Sequence, residues 1–133
     1  MDKHSYSTFE VKTWDEKTYA EMGGKTKLTR ATVTKTFKGD IVGEGTIEYL
    51  MAYSADGTAS FVGMERITGR IGNRSGSFVL QHSGTDDGSS TQSDWFVVEG
   101  AGTGELASLR GHGGGTISRN QPDYAMSLDY DFG

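Results

Sequence analysis

Two titratable side chains stand among apolar residues at strand-like spacing. Glu65 shares the alternate positions Phe61, Gly63, Glu65 and Ile67, so a strand that turns Phe61 and Ile67 inward also turns the carboxylate inward. Burial would raise its pKa and make it a usable general acid or base. The competing reading is a rim or structural salt bridge with Arg66 or Arg70, since the opposite face of Val62, Met64 and Arg66 is not clearly more polar. His82 follows Phe78 and Leu80 by the same parity. It is expected near the mouth of the same cavity, as a partner in that chemistry or as a hydrogen-bonded structural residue. Tyr49, Tyr53, Phe61, Phe78, Trp95 and Tyr130 would line an apolar cavity with polar handles, or else pack a core.

Other chemistries fit poorly. The segment from Gly102 to Ala107 has G-x-G-x-x-A spacing, follows a strand and precedes Asp123 by roughly 20 residues. The dinucleotide fingerprint needs a long helix inside a βαβ unit, whereas Gly111 stops this one after about two turns. The glycines are read instead as a tight turn that lets a short helix, Gly104 to Arg110, plug or cover one barrel end. His4, His82 and His112 are far apart and show no metal-ligand spacing. Asp86-Asp87-Gly88 is too short for a calcium loop, and Ser83, Ser89 and Ser90 lack a nucleophile elbow. Neither cofactor nor metal is expected.

The elements that must position these residues follow from composition and alternation. The chain has 133 residues, 20 glycines and one proline, with 11% aromatic residues, which suits short strands joined by glycine turns. One domain over 1–133 is expected. Strands are expected over 5–14, 26–37, 41–53, 58–68, 77–82, 92–98, 116–119 and 124–132. The second reads as solvent-facing, and the third turns Gly45, Ile47, Tyr49, Met51 and Tyr53 inward. Asp56-Gly57 is a hairpin signal between the third and fourth. Without crossover helices a parallel sheet is excluded, leaving an all-β fold. The economical form is a single closed antiparallel barrel of about eight strands with one short helix, and a two-sheet sandwich is the alternative. Eight strands enclose room for side chains or one small ligand.

Charge and cysteine content narrow the partners. A net charge of −5 argues against a nucleic-acid surface. Lys25, Lys27, Arg30, Lys35 and Lys38 concentrate before residue 40, but acidic neighbours make them read as a solvated strand face. The absence of cysteine suits a reducing compartment. With neither a signal-like nor a membrane-spanning apolar run, a cytoplasmic location and no membrane contact are expected.

Four segments, GTASFVGME at 57–65, GSFVLQHSG at 76–84, GTGELASLRG at 102–111 and SLDYDF at 127–132, occur in an order that resembles a small bacterial family of unknown function. Its members have an allene oxide cyclase-like β-barrel. The resemblance covers about Gly43 to Phe132 and departs from the family pattern at Glu99 and His112. It implies a barrel, and by distant analogy a lumen that holds a reactive polyene or epoxide, although fold alone carries no function. The leading expectation is a barrel that binds a small, mainly apolar molecule in its lumen. A cofactor-independent cyclase or isomerase with Glu65 as acid or base is the first alternative. A filled barrel that forms a homo-oligomer through Leu50, Val62 and Met64 is the second.

Overall fold

Buried and exposed side chains alternate along most of the strands, and that alternation lets one sheet curl until its two edges meet. The computed structural model describes residues 2–118, 121 and 123–133. Among them run β1 Lys3–Glu21, β2 Lys27–Gly39, β3 Ile41–Tyr53, β4 Ala59–Ile71, β5 Arg74–Asp86, β6 Ser90–Val97, β7 Thr103–Gly104, β8 Leu109–Ser118 and β9 Tyr124–Phe132. Each barrel strand pairs antiparallel with the next, β6 passes to β8, and β9 returns to β1. The result is a closed eight-stranded barrel, with the two-residue β7 added beside β5. Arg119, the end of the strand expected over 116–119, and the single proline lie outside the described residues.

Three local features differ from the sequence expectation. β2 is not a solvent-facing strand, because Thr29, Ala31, Val33, Lys35 and Phe37 all point inward and are buried. β1 runs past Trp14 to Glu21, and its register against β2 shifts between Val11 and Thr13. The extra residue, Lys12, is a bulge, and it reverses the parity so that Trp14 and Glu16 join Phe9 and Val11 on the lumen side. The short helix expected at Gly104 to Arg110 is absent, and the described residues contain no helix. Residues 105–108 form consecutive tight turns whose hydrogen bonds span three residues, Leu106 N–H to Thr103 and Ala107 N–H to Gly104. Leu109 already belongs to β8. The plugging role survives the change of conformation, because Leu106 is fully buried among Ile41, Ile71, Phe78, Leu109 and Leu128.

That cluster fills one end of the barrel. A smaller one at the other end gathers Ala31, Val33, Ile47, Met51, Ala59 and Phe61. The wall is incomplete at one seam, since β8 pairs with β9 only from Leu109 to His112. Beyond it the Trp95 indole N–H donates to the Ser127 carbonyl at 2.9 Å, taking the place of a ladder bond. Gly113 permits this, because a Cβ there would collide with both the indole nitrogen and the Ser127 carbonyl. On the outer surface Leu50, Val62 and Met64 are each about half exposed.

The buried plug carries a measurable load. Leu106→Ala is expected to cost about 2–5 kcal/mol in denaturant unfolding, while Leu50→Ala on the outer face stays within about 0.5 kcal/mol. Equal effects at the two positions would mean that the 105–108 turn does not seal the barrel.

Candidate functional site

The buried polar centre comes from three strands. β2 contributes Lys35, β4 Glu65 and β5 His82, with side-chain exposures of 5%, 0% and 6%. Lys35 and Glu65 are not on adjacent strands, because β3 lies between them and places Gly45 opposite both Lys35 and Ile67. A Cβ on Gly45 would approach Glu65 Oε2 to 2.7 Å and the Phe37 ring to 2.8 Å, so only glycine lets the two charges meet across this strand. Glu65 Oε2 lies 3.3 Å from Lys35 Nζ, and Glu65 Oε1 lies 2.8 Å from His82 Nε2.

Burial and pairing oppose each other here, and pairing wins. Desolvation pushes the Glu65 carboxyl upward, but Lys35 and His82 outweigh it and hold the group below its ordinary range. This corrects the sequence expectation of a raised acid. An ionised carboxylate only accepts, so His82 Nε2–H is the donor. Desolvation likewise lowers Lys35, while Glu65 and then Tyr49 outweigh it and leave the ammonium above its usual value. The Lys35 ammonium also sits 4.4 Å above the Phe9 ring, a cation–π contact. Burial pushes the Tyr49 phenol upward.

Lys35 reaches a cavity of about 460 Å³ from its deep end. Gly57, Asp86 and Gly88 mark the mouth, near the β3–β4 and β5–β6 turns, and the walls are mainly apolar and aromatic. Trp14 stacks on Tyr49, and Tyr49 meets Phe61 edge-on at 5.3 Å. Nearer the mouth, Glu16 accepts hydrogen bonds from Trp14 Nε1 at 3.0 Å, Thr29 Oγ1 at 2.7 Å and the Tyr53 hydroxyl at 2.6 Å. These donors outweigh desolvation and lower the Glu16 pKa. Burial first, and then Glu16, push Tyr53 up to about 12.

The sequence candidates separate into three groups. Tyr49, Tyr53 and Phe61 line the cavity. Glu65 and His82 are joined to each other but lie one layer beneath the floor, and neither is among the described lining residues. Phe78 packs in the closed-end core, Trp95 lies 5.8 Å from the His82 ring and bonds Ser127, and Tyr130 packs against Phe132. Sequence reasoning missed Lys35, Glu16 and Trp14. Lys35 carried a usable signal, its parity with Val33 and Phe37, whereas the bulge that turns Glu16 and Trp14 inward leaves no mark in the alternation.

The family model for DUF3224, described as a protein of unknown function, matches residues 5–130. The chain belongs to the DUF3224 family. Among solved structures, the crystal structure of a DUF3224 protein of unknown function from Shewanella oneidensis MR-1 is similar, with 31% identity over 98% of each chain and a TM-score of 0.82. No curated protein matches this DUF3224 chain.

The buried ion pair sets two expectations. Removing one partner strands the other charge, so Lys35→Met alone should cost about 3–5 kcal/mol, and adding Glu65→Gln should restore most of it. A double-mutant cycle with no coupling would contradict the pairing. The pH dependence follows from the two directions. Glu65, lowered from 4.5, contributes stability above that value and loses it as pH falls through its folded pKa. Lys35, raised from 10.5, contributes stability below that value and loses it as pH rises through its folded pKa. Thermal unfolding across pH should therefore show both losses in the wild type and weaker ones in the double variant; undiminished losses in the variant would assign them to other groups.

Proposed function

We propose that this protein binds a small, largely apolar molecule in the lumen of its barrel. The observation that supports this is the aromatic cavity of about 460 Å³, open at one end and floored by a buried ammonium. Its volume lies in the range of small-molecule sites, and its lining has their composition, an apolar wall with a few convergent polar groups. Glu65 serves this reading by holding Lys35 charged and in place, and His82 by holding Glu65. The geometry favours binding over the cyclase or isomerase alternative with Glu65 as acid or base, because that carboxylate is paired with Lys35 and His82 and sits behind the floor.

Magnitudes show what must decide affinity. Burying about 200 Å² of apolar ligand surface gains about 5 kcal/mol, against association costs of about 4 kcal/mol or more. Apolar burial alone leaves weak binding, so polar contact at the floor sets the strength.

Isopentylbenzene, a compact aromatic hydrocarbon, tests the reading. In an NMR titration it is expected to bind weakly and shift the signals of Tyr49 and Phe61. Ala59→Phe, which fills the cavity from β4, should weaken binding at least about tenfold while the fold persists. Equal binding by this variant would overturn the proposal, as would the absence of any shift at the cavity residues with this hydrocarbon and with its ketone and carboxylate analogues alike.

A further inference from the structure

The charge of Lys35 is satisfied, but its hydrogen-bonding capacity is not. An ammonium carries three N–H donors. Its carboxylate contact, Glu65 Oε2 at 3.3 Å, is an ion contact that lacks the alignment of a hydrogen bond. Even with the Tyr49 phenol taking a second donor, at least one N–H remains. That donor belongs to the basic side chain in the described lining of the cavity, beneath walls of Phe9, Tyr49 and Phe61.

From this we infer the chemical class of the ligand, an inference that rests on the lumen-binding reading: a neutral, mostly apolar molecule carrying a carbonyl-type oxygen, which accepts a hydrogen bond from Lys35. A hydrocarbon leaves the buried donor unpaired and forfeits a charge-assisted bond. A carboxylate pairs the donor but adds a second negative charge next to Glu65, which already pairs with Lys35, in a cavity whose remaining charged lining groups, Glu16 and Asp86, are acidic. A neutral carbonyl meets the donor without excess charge. Orientation follows from the same asymmetry. The carbonyl enters first, and the apolar body comes to rest between Tyr49, Phe61 and Met51.

A matched series on one phenethyl body separates the cases: isopentylbenzene, benzylacetone and hydrocinnamate, titrated by NMR at neutral pH. Benzylacetone is expected to bind at least about tenfold tighter than either of the others, the equivalent of one charge-assisted hydrogen bond. In Lys35→Met/Glu65→Gln, which removes the donor without stranding a charge, its advantage over isopentylbenzene should disappear. If that variant does not fold, the wild-type series decides by itself. Equal binding of benzylacetone and isopentylbenzene would overturn the carbonyl inference and leave lumen binding standing, and tightest binding of hydrocinnamate would overturn it in favour of an anion site. If none of the three binds in the lumen, the binding reading fails and the inference falls with it.

Discussion

A lysine and a glutamate that meet across an intervening strand impose conditions on everything around them. Two buried charges are tolerated only when each is paired and the pair is well packed. In this barrel that requires β3 to present a glycine between β2 and β4, β5 to present a histidine to the second carboxylate oxygen, and β1 to present the face of Phe9 to the ammonium. These demands fall on one layer of the lumen. Below it the barrel is packed solid by the closed-end core, and above it the lumen is open. The polar layer is thus the boundary between the part of the barrel that supplies stability and the part that supplies space.

Closure of the sheet makes this division possible. A closed meander turns every second residue inward, and the taper of the two ends decides which of those residues touch one another. At the closed end the 105–108 turn inserts Leu106. At the open end the bulge at Lys12 rotates the long β1 so that a carboxylate and an indole, rather than the next odd-numbered residues, face the lumen. Glu16 then gathers three donors and ties β1 to β2 and β3 at the mouth.

Much of this was legible from alternation alone. The parity of Phe61, Glu65 and Ile67 and of Phe78, Leu80 and His82 places both titratable residues inside, as the structure has them, and the Asp56-Gly57 turn joins β3 to β4. Lys35 escaped because basic residues near Glu and Asp usually belong to a wet surface, and that prior outweighed its parity with Val33 and Phe37. The expectation of a raised carboxyl fails for the same reason: with Lys35 assigned to solvent, an inward Glu65 is left with burial as its main influence, and the salt bridge that competes with that reading falls to Arg66 or Arg70 rather than to Lys35. The helix over Gly104 to Arg110 failed because propensity describes a segment in isolation, whereas glycines at Gly102 and Gly104 and the pairing of Leu109 with β9 leave room only for turns. The bulge at Lys12 depends on pairing with β2, a tertiary fact that β1 alone does not carry.

The most direct measurement is a crystal structure of the protein soaked or grown with benzylacetone. The account requires the ligand in the lumen, with its carbonyl oxygen about 3 Å from Lys35 Nζ and its phenyl ring between Tyr49 and Phe61. A carbonyl turned toward Glu16 at the mouth, or a lumen without the ligand while the molecule sits on the outer face, would contradict it.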